Sequence, residues 1–159
     1  MEQGVFATAN WGLILAIAGA AFAALLAGIG SAIGVGKAGQ AAAGILADHP
    51  DRFGNCLVLE LLPGSQGIYG LIIAFFILMN CGVLGGEVPD ISGGLRLFVA
   101  SMPIAFGGLI SAIHQGKVSA SGITMIARRA DGFGNAMMLA LMVEIYALFA
   151  FLLSLLMVI

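Results

Sequence analysis

Four long runs that carry no charge, or almost none, constrain the fold of this chain more than any other feature. They cover about residues 11–46, 54–82, 91–126 and 133–159. A helix needs about 20 apolar residues to cross a hydrocarbon layer about 30 Å thick, and each run is longer than that. Because 61% of the residues are hydrophobic, a soluble globular domain is excluded. The sequence therefore predicts an all-α membrane protein with four transmembrane helices.

Charge is scarce, which excludes two classes of partner. Charged residues make up 9% of the sequence and the net charge is −2, so neither nucleic acid nor a polybasic contact with the membrane surface is expected. Cys56 and Cys81 lie on one predicted helix, 25 residues and therefore about 37 Å apart, which is too far for a disulfide. Both are expected to be small buried packing residues.

Short polar links join the four runs, so consecutive helices are expected to be antiparallel. The links lie near residues 47–53, 82–90 and 127–132. Basic residues cluster at the first and third links, with Lys37, Arg52, Lys117, Arg128 and Arg129 at that end and Arg96 alone at the other. Because Lys and Arg favour the cytoplasmic side of a membrane, we expect the loops near 47–53 and 127–132 to be cytoplasmic.

An internal repeat divides the chain into two similar halves. The motif Ser-Ala-Ile-x-x-Gly-Lys at residues 31–37 recurs 80 residues later at 111–117, and Asp51-x-Phe-Gly-Asn recurs at Asp131 with the same offset. Repeats of this kind indicate duplication of one structural unit. The chain is thus predicted to be two fused helical hairpins, residues 1–84 and 85–159.

Glu144 is a single carboxylate within the last run, which is otherwise uncharged from Gly132 to Ile159. Along a helix it lies about 18 Å from the first of these residues and about 22 Å from the second, near the middle of the hydrocarbon layer. An ionised carboxylate there is costly unless it is protonated, paired or bound to a cation. The repeat aligns Glu144 with Gly64, so the two hairpins together carry one such acid.

Glycine is concentrated in the first and third runs, as in Gly30-x-x-x-Gly34. Small residues at this spacing let helices in lipid approach backbone to backbone. The pattern favours an inner circle of first and third helices within a ring of several copies. A tight bundle of four helices is the alternative for this pattern.

Polar residues at membrane depth supply neutral oxygens that can converge on Glu144. Ser65 and Tyr69 share a helix face at i and i+4, Gln66 is beside them, and Pro63 allows the helix to bend there. Gln115 lies in the third run. One carboxylate with several neutral oxygens suits a small hard cation, and a proton needs fewer acceptors. Hydrogen bonding between helices is the alternative function for these polar side chains.

The run Leu-Pro-Gly-Ser-Gln-Gly-Ile-Tyr-Gly at residues 62–70, the Val-Glu-Ile-Tyr run at 143–146 and the duplicated hairpin together resemble the 16 kDa proteolipid, or K subunit, of V-type rotary ATPases. The set of polar residues resembles the Na⁺-translocating bacterial branch, which implies a bacterial plasma membrane. The resemblance implies that Na⁺ is held by Glu144, Gln66, Ser65, Gln115 and the Leu62 carbonyl, and that Tyr69 hydrogen-bonds to Glu144. A rotor carrying H⁺ at the same glutamate is the alternative.

The same resemblance implies the partners of the chain. Copies would form a homo-oligomeric ring in membrane lipid, a stator subunit would supply an arginine that displaces the ion, and central-stalk subunits would contact the cytoplasmic loops. ATP hydrolysis would occur on other subunits, since this chain lacks the G-x-x-x-x-G-K-[ST] phosphate loop. A small oligomeric secondary transporter is the competing class of function.

Two further titratable residues lie in the predicted helices. Glu60 is two residues before the Leu62 run and is expected to hydrogen-bond or to extend toward the cytoplasmic side, with a role in ion access as the alternative. His114 precedes Gln115 and is expected to be a packing or hydrogen-bonded residue, with a proton relay as the alternative.

Overall fold

The computed structural model describes residues 10–159, and within them the chain is helical and contains no β-strand. The α-helices are α1 (Trp11–Leu46), α2 (Phe53–Leu61), α3 (Ser65–Asn80), α4 (Ile91–Arg128) and α5 (Phe133–Val158). Single turns of 3₁₀ helix occur at Pro50–Arg52, Leu62–Gly64 and Ala130–Gly132. The second of these turns joins α2 and α3 into one long rod.

The predicted four membrane spans are confirmed by helix length and apolar composition. The segments long and apolar enough to cross a bilayer are Trp11–Leu46, Pro50–Asn80, Ile91–Arg128 and Ala130–Val158. The second span ends at Asn80, two residues earlier than predicted, because the chain turns through Gly82 and Gly86 with φ of 84° and 71°. Glycine adopts this left-handed region readily, whereas other residues rarely do.

The turns are closed by local polar contacts. The Asp90 carboxylate caps α4 by accepting hydrogen bonds from the Gly93 N–H at 2.7 Å and from the Ser92 hydroxyl at 2.9 Å. These bonds lower the pKa of Asp90, because they stabilise the charged form. In the third turn, Arg129 pairs with Asp131 at 3.0 Å and lowers the pKa of that carboxyl.

Glycines bring α1 and α4 into direct backbone contact, and this is the most extensive helix pairing in the chain. A β-carbon on Gly30 would stand 2.6 Å from the Leu109 Cα, and one on Gly34 would overlap the Ala112 carbonyl. The rod of α2 and α3 packs on α1, and α5 packs on α4. The predicted close approach of the first and third spans is therefore present.

Two apolar clusters occupy the two ends of the helices. One groups Ala16, Ala20, Ile73, Ile77 and Ile104 with their neighbours. The other groups Ala38, Leu59, Ile123, Ile126 and Ala136 with theirs. The polar residues around Glu144 lie between these clusters along the helices. The fold thus encloses one polar layer between two apolar ones.

Pro103 lies inside α4, where a polar contact links α4 to α5. The next residue, Ile104, donates its N–H to the Ser154 hydroxyl on α5 at 3.0 Å. Proline weakens a helix locally, and this side-chain acceptor satisfies a backbone donor beside it. The outer surface is apolar, as Leu71, Phe149 and Leu156 illustrate, and suits lipid or another helix.

Candidate ion-binding site

Glu144 is 7% exposed and accepts three hydrogen bonds from neutral donors. Its Oε1 atom accepts from the Ser65 hydroxyl at 2.6 Å and from the Tyr69 hydroxyl at 2.7 Å. Its Oε2 atom accepts from the Gln66 amide nitrogen at 3.3 Å. The convergence of these side chains on Glu144 is therefore a feature of the folded chain.

The 3₁₀ turn at Leu62–Gly64 positions these donors. The Ser65 N–H bonds to the Leu62 carbonyl, and the Ser65 hydroxyl lies 2.9 Å from the same oxygen. A serine hydroxyl has one proton, so Ser65 donates either to this carbonyl or to Glu144, and not to both at once. Tyr69 lies one turn further along α3, and its ring is 5.2 Å from that of Phe151 between centroids.

Gln66 and Gln115 are fully buried and bonded to each other. The Gln66 amide nitrogen donates to the Gln115 side-chain oxygen at 2.6 Å, and the Gln115 nitrogen donates to the Ala140 carbonyl at 3.2 Å. Among residues 10–159, no hydrogen bond joins Gln115 to Glu144 directly. Gln115 thus orients Gln66, which in turn contacts the carboxylate.

One oxygen in this network lacks a partner. The Gln66 side-chain oxygen is buried and, within the described chain, accepts no hydrogen bond. Both hydrogens of the Gln66 amide group are already directed at Gln115 and Glu144. A buried carbonyl oxygen without a donor is costly, and a cation satisfies it without needing a hydrogen.

No basic side chain of the described residues forms an ion pair with Glu144. Across residues 10–159 the ion pairs are Arg52 with Asp51 and Arg129 with Asp131, both in turns. The same residues contain no group of three His, Cys, Asp or Glu side chains that could hold a metal ion. Neutral oxygens and a single carboxylate suit a monovalent hard cation better than a transition metal.

Two serines that were not predicted to belong to the site support it. Ser31 accepts from the Gly67 N–H at 2.8 Å and donates to the Gly64 carbonyl at 3.3 Å. Its repeat equivalent Ser111 donates to the Val143 carbonyl at 3.0 Å. Ser31 therefore ties α1, and Ser111 ties α4, to the backbone beside the site. The signal for this role was the recurrence of serine at the same place in both halves.

Glu60 and His114 lie outside the hydrogen-bond network of Glu144. The Glu60 carboxylate is half-buried, and one oxygen lies 2.6 Å from where a β-carbon of Gly39 would stand. His114 is exposed and lines a groove of about 440 Å³ with Tyr146. Within the described residues neither side chain makes a hydrogen bond or an ion pair. Of the two expectations for Glu60, a hydrogen bond is absent within the described residues, and an extension toward the cytoplasmic side stays a prediction.

A second groove, of about 590 Å³, opens from Glu144 to the outer surface. Its walls include Leu61, Ser65, Ile68, Leu141 and the carboxylate itself. Ile68 and Leu61 are exposed, so this side of the site faces whatever surrounds the outer helices. The groove gives a partner on that side a route to the carboxylate.

Comparison with known proteins locates the same repeat. The profile of the family described as the C subunit of ATP synthase matches residues 18–77 and again residues 98–157. The chain is 45% identical over 151 residues to the K subunit of the V-type sodium ATPase of Enterococcus hirae, which covers 95% of this chain and 94% of that protein. It is 34% identical over 147 residues to the K subunit of the A-type ATP synthase of Methanocaldococcus jannaschii, covering 92% of this chain and 63% of that protein.

A more distant relative also matches most of the chain. The V-type proton ATPase 16 kDa proteolipid subunit of Chrysotila carterae is 27% identical over 141 residues, covering 86% of this chain and 85% of that protein. Each half matches the family profile separately, and the matches to the relatives run across both halves. The chain therefore belongs to the family of the ATP synthase C subunit, as a duplicated proteolipid of the kind found in V- and A-type ATPases.

Proposed function

We propose that this chain is a rotor-ring subunit of a bacterial V-type rotary ATPase that binds Na⁺ at Glu144 and carries it across the plasma membrane. Proteins of its family form homo-oligomeric rings in rotary ATPases, where other subunits hydrolyse ATP. The relative from Enterococcus hirae is named as a sodium ATPase subunit. The chain would supply the moving ion site and no catalytic residue.

The Gln66 side-chain oxygen, which has no hydrogen-bond partner among the described residues, is the observation that favours Na⁺ over H⁺. A Na⁺ ion beside Glu144 would take this oxygen, a carboxylate oxygen, the Ser65 hydroxyl and the Leu62 carbonyl as ligands. Ser65 and this carbonyl are already 2.9 Å apart. Tyr69 would hold the carboxylate, and Gln115 would hold Gln66. We therefore assign Gln115 a positioning role.

Proton transport is the competing cargo, and one contact favours it. A protonated Glu144 can donate to the Ser65 hydroxyl at 2.6 Å, which can then donate to the Leu62 carbonyl at 2.9 Å. That chain of bonds satisfies the carboxyl but leaves the buried Gln66 oxygen without a partner. Na⁺ satisfies both groups, which is why we prefer it.

Loading and release follow from the charge of the site. A bound cation neutralises Glu144, so the loaded subunit can face lipid at low cost. A stator arginine that reaches the carboxylate through the outer groove would compete with the ion and release it. In this proposal the turns at 47–53 and 127–132 face the cytoplasm and contact the central stalk.

Carbodiimide labelling of the purified, detergent-solubilised ring tests the cargo, because this reagent attacks a protonated carboxyl group. Na⁺ should slow labelling of Glu144 at fixed pH, and K⁺ should do so much less because close oxygens favour the smaller ion. Lowering the pH should speed labelling and weaken the protection, since proton and cation compete for the same oxygens. Glu144→Gln supplies the unlabelled control.

Variants sharpen this test. Gln66→Ala removes an ion–dipole contact worth about 1.5–3 kcal/mol and should raise the Na⁺ concentration for half-protection by about 10–100-fold. Gln40→Ala, which removes an exposed amide on α1, should leave that concentration unchanged. If millimolar Na⁺ leaves the wild-type labelling rate unchanged between about pH 6 and pH 8, the cargo is the proton. A purified species of only two to four chains would instead exclude the ring and favour a small transporter.

A further inference from the structure

Glu60, His114 and Lys117 are charged or titratable side chains of the membrane spans that the ion site does not use. Within residues 10–159 none of the three side chains has a hydrogen bond or an ion pair. An unpaired carboxylate in a membrane is costly, and such residues usually face a partner. The partner for Glu60 should therefore lie outside the single chain.

The internal repeat identifies which surface meets a second copy. Inside the chain, the first hairpin docks on the second through small residues: Ala27 lies against Gly108, and Gly34 lies against Gly116. In the first hairpin the equivalents of these two glycines are Gly28 and Gly36, and no atom among the described residues lies within 4 Å of a β-carbon built on either. This open face of α1 therefore corresponds to the face of α4 that packs against α1 inside the chain.

The complementary surface lies on the second hairpin. The groove beside His114 is lined in part by Gly107, Ile110, His114, Val143 and Tyr146. Their equivalents in the first hairpin, 80 residues earlier, are Ala27, Gly30, Gly34, Pro63 and Gln66, all of which are buried. The groove on the second hairpin thus corresponds to the surface of the first hairpin that is buried against the second. In a single chain it is open, and the first hairpin of the next copy could fill it.

This register brings the three unused side chains together. Gly34 touches Gly116 inside the chain, so its equivalent His114 should touch Gly36 of the next copy. Lys117 is one turn further along α4 and reaches the level of Gly39 of that copy. The Glu60 carboxylate lies against Gly39. Glu60 is itself the equivalent of Ala140, which is completely buried. Glu60 should therefore be buried at the contact between copies.

We propose that the Glu60 carboxylate of one copy pairs with Lys117 and His114 of the neighbouring copy. The inference rests on the ring of the proposed function, and it gives the two kinds of contact in the ring different chemistry. Contacts within a chain hold a mobile cation at Glu144. At the contact between copies, the positions equivalent to the ion-site residues carry no carboxylate and no amide. The equivalents of Gln115, Glu144, Ser65, Gln66 and Tyr69 are, in that order, Val35, Gly64, Ile145, Tyr146 and Phe149. Between copies, the Lys117 ammonium group of one chain would neutralise the Glu60 carboxylate of the next.

Cysteine cross-linking tests the docking. In a ring whose Cys56 and Cys81 are replaced by Ala, the pair Gly36→Cys with His114→Cys should give a ladder of dimers, trimers and higher oligomers on a denaturing gel. Gly44→Cys with His114→Cys is the matched control, because Gly44 is equally open but lies about 12 Å further along α1. A ring-sized particle that gives no ladder with the first pair overturns the docking.

A double-mutant cycle tests the pairing. Glu60→Gln and Lys117→Gln should each lower the midpoint of thermal ring dissociation by about 5–10 °C, because each leaves a buried partner unpaired. The double variant should lose little more than either single one. Lys37→Gln, at the equivalent position of the first hairpin, should add independently to Glu60→Gln. Additive losses for Glu60 and Lys117 overturn the pair. Sodium protection of Glu144 is measured separately and fails only if the proposed cargo is wrong.

Discussion

The two intramembrane glutamates of this chain differ in their surroundings rather than in their depth alone. Glu144 accepts three hydrogen bonds from uncharged donors, which hold the carboxylate without neutralising it. Glu60 lies against α1 at Gly39, which has no side chain to donate a hydrogen bond. A carboxylate that is held but not neutralised can exchange a cation, whereas one that is paired with a fixed base cannot. In the ring that we propose, this difference would make Glu144 the transport site and Glu60 a structural residue.

Glu144→Gln should abolish ATP-driven cation transport and leave ring assembly intact. The amide keeps the size of the side chain but carries no charge, so the site should hold no ion for the proposed stator arginine to displace. Transport into vesicles and particle size measure the two effects. Glu87→Gln, on the exposed link, is the control and should transport normally. Wild-type transport by the Glu144 variant would mean that the ion uses another site.

The residues of the site could be predicted from the sequence better than their connections. Ser65 and Tyr69 share a helix face at i and i+4, and the structure places both on Glu144. Gln115 could not be placed in this way, because its partner depends on how two buried amides orient toward each other. The support from Ser31 was also missed, since its bond to Gly64 crosses between helices.

At the scale of helices, Gly116 tests the backbone contact between α1 and α4. A β-carbon there would overlap the Gly34 backbone, so Gly116→Ala should force the helices apart and destabilise the fold by about 1–3 kcal/mol. Gly44→Ala adds the same methyl group where no described atom lies within 4 Å and should be neutral or slightly stabilising. Unfolding of the two variants in mixed micelles gives the comparison. Equal stability would contradict the close contact.

The cap of α4 gives a second prediction at this scale. The pKa of Asp90 is lowered in the folded chain, so its contribution to stability is present above the pKa of the unfolded chain and is lost as pH falls through the folded value. The protection factor of the Gly93 N–H, which is its intrinsic exchange rate divided by the observed rate, should therefore be high near neutral pH and lower once Asp90 is protonated. In Asp90→Ala this protection factor should be low at both pH values. A high protection factor of Gly93 in that variant would mean that the backbone alone holds the turn.

Helix existence could be predicted from the length of the apolar runs, whereas helix detail could not. The uncharged runs predicted all four spans. The 3₁₀ turn at Leu62–Gly64 reflects Pro63 together with packing on α1, as the contact of Pro63 with Gly34 indicates. The sequence predicts a bend at proline, but its direction depends on the neighbouring helix.

At the scale of the whole molecule, duplication would give the proposed ring two different interfaces, one within each chain and one between copies. Both hairpins keep the serine and the small residues that dock helices, at Ser31 and Ser111 for example. They differ at the positions that handle charge, where Gly64 is the repeat equivalent of Glu144. A ring of such chains would therefore carry half as many exchangeable sites as it has hairpins. In our proposal the contact between copies serves assembly instead.

The positions of the basic residues predict the orientation of the whole molecule in the membrane. Arg52, Arg128 and Arg129 lie at one end of the helices, and moving them across a membrane is disfavoured. In cells carrying Cys56→Ala and Cys81→Ala, an impermeant maleimide should label Glu87→Cys from outside and should not label His49→Cys or Arg129→Cys. Ile159→Cys should label like Glu87→Cys, since an even number of spans returns the chain to the side of that link. Permeabilised cells, in which all four cysteines should react, give the control. Labelling of His49→Cys and Arg129→Cys in intact cells, without Glu87→Cys, would invert the topology and place the stalk contacts on the wrong side for a cytoplasmic ATPase.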